Sequence, residues 1–170
     1  MRIRLESPTD FPAIYALVKA AFETAPHADG DEQDFVDRLR AGSGYLPDLA
    51  LVGEADGALV AHVMLTRLPQ SGVLRPAELL MLAPVSVAPG AQRRGLGTAI
   101  VRDVLARAAA RGHVTAVVLG DPAYYRRFGF RTARDFGLRN GDDFPDENVM
   151  ALELAPGALR GAKGAFHFPT

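Results

Sequence analysis

The chain contains no cysteine, which excludes disulfides, thiolate metal sites and cysteine nucleophiles together. It also lacks a surplus of charge: 19 Lys and Arg stand against 20 Asp and Glu, for a net charge of −1. No global electrostatic attraction for nucleic acid or a membrane surface is expected from that balance. No apolar run approaches the roughly 20 residues that a membrane-spanning helix requires. Met1-Arg2-Ile3-Arg4-Leu5-Glu6 has no hydrophobic core of signal-peptide length. The cytoplasm is the expected compartment. Four scattered histidines suggest no metal site, and neither repeats nor low-complexity tracts are present.

What the chain does have is 170 residues, 48% of them apolar, the size and composition of one domain over residues 1–170 with a respectable core. Arg2 to Leu5 alternates as a half-buried strand, and Ser7-Pro8-Thr9-Asp10 reads as a turn with N-cap candidates. Ile14, Leu17, Val18, Ala21 and Phe22 form a helical stripe, and a second helix is expected over 31–41 with Phe35, Val36 and Leu39 inward. Strands over 49–54 and 59–66 flank Ala55-Asp56-Gly57-Ala58, where Asp-Gly is a strong hairpin signal. Val114 to Leu119 is apolar on both faces, as in a strand covered above and below. Asp121-Pro122 before the helical segment, and Gly129 after it, delimit a short helix. A strand is expected over 131–138, a polar loop over 140–147 and a convincing strand over 149–154. In the glycine-rich tail, Phe166 and Phe168 suit a short edge strand.

The stretch Glu78 to Phe130 organises the rest. The apolar run Leu79 to Val87 has the length and branching of a buried strand. From Thr98 to Arg111 the period changes to 3.6, with Ile100, Val101, Val104, Leu105, Ala108 and Ala109 on one face. Between them lies Gln92-Arg93-Arg94-Gly95-Leu96-Gly97, a tight strand-to-helix loop whose first helical N–H groups lack internal partners and can hold an anion. A P-loop needs Gly-Lys-Ser/Thr here, and Gly97 is followed by Thr98-Ala99. A dinucleotide fingerprint needs a third small residue where Ile100 stands.

The remaining template, Gln/Arg-x-x-Gly-x-Gly/Ala, is matched at every specified position, and here the chain resembles the GNAT superfamily of acetyl-CoA-dependent N-acetyltransferases. Val85-Ser86-Val87-Ala88-Pro89 resembles the family's splayed strand, and Tyr124-Tyr125-Arg126-Arg127-Phe128-Gly129-Phe130 resembles its later tyrosine motif. The resemblance implies an α/β fold with a mixed central sheet, order β-α-α-β-β-β-α-β-α-β-β, and a splayed parallel pair at its centre. It implies acetyl-CoA as cosubstrate, with the pyrophosphate cradled by Gln92, Arg93, Arg94, Gly95, Gly97 and Thr98. The backbone of Val85 and Val87 would meet the pantetheine arm, and Pro84, lacking an N–H, is consistent with a bulge. The valine side chains themselves are expected in the core. With no cysteine, an acetyl-cysteine intermediate is excluded.

An amine attacking the thioester expels a thiolate, so an acid near sulfur assists. Tyr125 is the candidate by its spacing from Gly129-Phe130, with Tyr124 as the neighbour that could replace it. For the base or water-ordering group the candidates are Glu78, His62 and His27, with Ser86 ordering water. By resemblance the acceptor, a small-molecule or peptide amine, enters near residues 24–31, 68–75 and 140–146. Asp29, Asp31, Asp142, Asp143 and Asp146 are then candidates to attract it. A non-catalytic acyl-CoA-binding or sensory domain of the same fold is the alternative, and a homodimer through the Phe166–Phe168 edge is compatible with the sequence.

Overall fold

The computed structural model describes residues 1–23, 29–68 and 78–169. In chain order it contains β1 (Arg2–Leu5), α1 (Phe11–Phe22), α2 (Glu32–Ala41), β2 (Ala50–Ala55), β3 (Ala58–Arg67), β4 (Leu80–Val87), α3 (Leu96–Ala110), β5 (Thr115–Leu119), α4 (Pro122–Tyr125), β6 (Arg131–Thr132), β7 (Leu138–Asn140), β8 (Val149–Glu153) and β9 (Gly164–Phe166). These gather into two compact units, one of Met1–Leu65 and Pro84–Arg107, the other of Thr66–Ala83 and Ala108–Thr170.

In the first unit β1, β2 and β3 form an antiparallel meander in which Arg4 faces Val52 and Val52 faces His62. The hairpin turns at Asp56 and Gly57, both at positive φ, as the Asp-Gly signal requires. The N–H of Ala88, just past β4, donates to the Val60 carbonyl at 2.9 Å and so sets β4 beside β3. Helices α1 and α2 pack on each other, burying Ile14, Leu17, Val18, Val36 and Leu39. Phe35 is only half-buried, lying against the Arg38 guanidinium, and Gln33 takes the inward position, donating to the Gly30 carbonyl at 3.0 Å.

In the second unit the parallel register of β4 and β5 runs through Leu80↔Ala116 and Met81↔Val117. β8 pairs antiparallel with β5 and with β6. The strand expected over 131–138 is instead β6 and β7 on either side of a 3-10 turn, Ala133–Phe136, which Gly137 closes at positive φ. β9 pairs in parallel with β7 in a separate two-stranded sheet. Phe166 is buried there and meets Phe168 edge to face, so its ring belongs to the unit's core. The centre of β5 is buried while Val114 and Leu119 are exposed. On α3 the apolar stripe ends at Ala108, and Ala109 faces solvent.

The entry into α1 rests on one carboxylate. Asp10 accepts a forked pair from Arg4 at 2.7 and 2.8 Å, and the Ser7 N–H at 2.8 Å, while Arg4 Nε reaches Glu54 at 3.1 Å. Replacing Asp10 by Ala removes the fork and the turn's acceptor together. It is expected to lower unfolding free energy by about 2 kcal/mol, read from urea denaturation.

Candidate active site

Burial alternates along the second half of β4: Leu82, Pro84 and Ser86 are buried, whereas Ala83, Val85 and Val87 are half-exposed. The two valines are therefore not core residues, because their pleat faces away from the side that Pro84 and Ser86 fill. The strand continues through Pro84 without a break. Beyond it Pro89–Ala91 coils into a 3-10 turn, and the Gln92 amide donates back to the Val87 carbonyl at 3.2 Å, bracing the loop on the strand.

Arg93 and Gly95 then adopt φ of 58° and 80°. For an arginine that left-handed geometry costs about 1 kcal/mol, and nothing in the sequence motif announces it. At Gly95 an added Cβ would meet nothing within 4 Å, so this backbone faces open space. The Ala99 N–H bonds the Gly95 carbonyl at 3.0 Å. The N–H groups of Leu96, Gly97 and Thr98 therefore precede the helical ladder, at the positive end of α3. Arg93 and Arg94 are exposed beside them. Donors without a lysine, open backbone and two guanidiniums suit a pyrophosphate.

Tyr125 is positioned by its helix ends. Asp121 Oδ1 accepts the Ala123 N–H at 2.8 Å as N-cap, and Gly129 closes the following turn at φ 94°. Its ring lies edge-on to Tyr124, centroids 5.1 Å apart, and against Phe130 at 5.8 Å. A Cβ on Gly120 would fall 2.3 Å from the Tyr125 ring, so that close approach requires glycine. Burial, with Tyr124 and Asp121 nearby, pushes the phenol well above its ordinary range, which keeps it protonated. Tyr124 turns its own face to the Arg127 guanidinium at 4.5 Å.

Glu78 is held from both sides. Arg67 Nε donates to it at 2.7 Å and His113 Nδ1 lies 3.0 Å from its other oxygen, while the Thr115 hydroxyl donates to its main-chain carbonyl at 2.9 Å. Burial pushes its carboxyl up, but His113 and Arg67 outweigh this and lower it. His27 lies outside the described residues, as do 24–28 and 69–75 of the expected acceptor loops. Of the acids, Asp31 pairs with Arg38 and Asp146 with Arg134, and Asp142 lies 2.8 Å from His167 Nδ1.

The cluster that sequence reasoning missed surrounds His62. Its imidazole is fully buried, and Nε2 lies 3.0 Å from Glu6 Oε2. Glu6, its side chain 1% exposed, also accepts Arg40 Nε at 2.9 Å and the Tyr45 hydroxyl at 2.8 Å. A glutamate just past a half-buried strand gives no sequence signal for such a role, since its partners are 34 to 56 residues away.

Comparison with known proteins agrees with the loop's geometry. The family model described as an acetyltransferase (GNAT) domain matches residues 2–133. The chain belongs to the GNAT acetyltransferases and is an acyltransferase with the family's mixed α/β fold. N-acetyltransferase YhbS of Escherichia coli is 29% identical over 168 residues, 99% of this chain and 96% of YhbS. YjhQ of the same organism, also an N-acetyltransferase, is 31% identical over 145 residues, 82% of this chain and 80% of YjhQ. Among solved structures, YhbS in complex with CoA matches with a TM-score of 0.85 and 30% identity, covering 99% of this chain and 89% of that one. A GNAT acetyltransferase from Brucella melitensis in complex with acetyl-CoA matches with 0.74 and 32%, covering 91% and 88%.

The buried carboxylate predicts a pH dependence. Burial raises the Glu6 carboxyl, but His62, Arg40 and Tyr45 hold it at about 2, below its ordinary 4.5. A carboxyl lower in the folded than in the unfolded chain stabilises the fold fully above pH 4.5, and this contribution fades as pH falls through the folded value. Urea midpoints are expected to drop across that window, and Glu6→Gln to flatten the drop while lowering stability at neutral pH.

Proposed function

We propose that this chain transfers an acetyl group from acetyl-CoA to a primary amine by direct attack within a ternary complex. The observation that carries the reading is the loop after β4, where Arg93 and Gly95 turn the backbone through positive φ at the start of α3. Gly95, Gly97, Thr98 and the guanidiniums of Arg93 and Arg94 hold the pyrophosphate. Val85 and Val87 offer main-chain groups to the pantetheine amides, and Gln92 holds the loop against the strand.

The amine lone pair attacks the thioester carbonyl carbon. As the C–S bond breaks, the departing sulfur takes its proton from Tyr125, a phenol that burial keeps protonated; the surplus proton on the newly acylated nitrogen is lost to water, and the phenolate is reprotonated from water. Glu78, lowered by His113 and Arg67, is a weak proton acceptor, and its role in this reading is to order water and fix the start of β4.

Acetyl-CoA consumption across a panel of amines and peptides tests the proposal, with Gly97→Glu as the variant that abolishes binding. Failure of the wild type to acetylate any amine while binding acetyl-CoA would sink it. Tyr125→Phe is expected to lower kcat by about 100-fold at unchanged acetyl-CoA Kd. Gly120→Ala displaces the same ring and is expected to lower kcat about 10-fold, again without weakening the cosubstrate.

A further inference from the structure

Three side-chain groups on β3 and β4 are buried without a hydrogen-bond partner among the described residues: His62 Nδ1, Thr66 Oγ1 and Ser86 Oγ. His62 is 0% and Ser86 1% exposed. Ala88 donates to Val60 across these strands, and two residues back along one strand and forward along the other bring Ser86 beside His62 on the same face of the pleat. An ionised carboxylate only accepts hydrogen bonds, so Glu6 fixes the proton of His62 on Nε2. The second ring nitrogen is left with a bare lone pair directed away from Glu6. A carboxylate that orients an imidazole and balances its charge is the arrangement of a general base.

We propose that Glu6, His62 and Ser86 form a buried proton-accepting array for the acetyl transfer, with a water molecule shared between His62 Nδ1 and the Ser86 hydroxyl. The proposal rests on the transferase reading above. In each turnover the acceptor ammonium passes one proton through that water and the Ser86 hydroxyl to Nδ1. The freed amine lone pair forms the new C–N bond, and the imidazolium, balanced by Glu6, returns its proton to solvent. Both groups are too buried to touch the amine, so His62 and Ser86 are positioning residues acting through the water. Among the described residues, the other charged and titratable groups bonded to the dyad are Arg40 from α2 and Tyr45 from the segment after it, both through Glu6.

The test has two arms. Nitrogen-15 NMR of the His62 ring in the whole protein, with and without acetyl-CoA, is expected to show that the neutral ring carries its proton on Nε2 and none on Nδ1; the opposite tautomer overturns the proposal whatever the acceptor. With an amine that the wild type acetylates, His62→Gln keeps an N–H for Glu6 and discards the ring acceptor. It is expected to lower kcat/KM about 100-fold, with unchanged acetyl-CoA Kd and loss of the limb on which the rate rises with pH. Ser86→Ala is expected to lose about 10-fold, and Ser86→Thr to restore most of it. Wild-type rates and pH profiles in both His62→Gln and Ser86→Ala, or an acetyl group found on Ser86, overturn the array. A wild type that binds acetyl-CoA, shows the expected tautomer and acetylates nothing defeats the transferase reading instead.

Discussion

A single buried negative charge ties the first unit together. The Glu6 carboxylate, past the end of β1, accepts donors from α2, from the segment behind it and from β3. An isolated carboxylate at that depth costs several kcal/mol in lost hydration, and three donors offset it only if all are held in place. The Arg40 guanidinium is itself held over the Phe11 ring at 3.8 Å and paired with Asp37. The tie of α2 to Glu6 and the orientation of the His62 ring thus answer to one electrostatic requirement. Breaking such a set by removing one partner typically costs about 3–5 kcal/mol, more than most individual apolar contacts contribute.

The anion site proposed at the start of α3 would depend on a different distribution of charge. A lysine-bearing loop concentrates a full positive charge on a mobile stem, whereas the loop after β4 spreads partial charges over fixed main-chain N–H groups and a helix end. Backbone donors need no side-chain ordering to bind, and the strain is taken up in advance at Arg93. Strain of this kind persists only where neighbouring structure overrides it. The Gln92 amide on Val87 and the ladder bond from Ala99 to Gly95 flank it on either side.

Local chemistry made much of this legible in the sequence. The Asp56-Gly57 hairpin, the Asp121 cap, the Gly129 stop and the apolar stripe of α1 each depend on residues within a turn or two of one another, and each appears where its signal stands. The glycine-and-arginine loop was readable for the same reason. Elements that rely on distant partners were not. Residues 131–138 alternate well enough for a strand, yet Gly137 and the packing of Ala133 and Leu138 divide them. The valines of β4 have strand propensity, which does not say which face is covered. His62 stood only as one of three candidate bases, and its surroundings came from Glu6, Arg40 and Tyr45, none of them close in sequence.

The anchoring of β4 has a thermodynamic corollary. Glu78 fastens the residues before the strand to Arg67, His113 and Thr115, and Gln92 fastens the strand's last carbonyl. A strand tethered at both ends has little configurational freedom left to surrender when an extended molecule lies along its backbone. Most of the ordering cost of such an association has been met during folding. If the acyl donor lies along β4 as proposed, variation in affinity among donors that share the same arm should therefore originate in the acyl group.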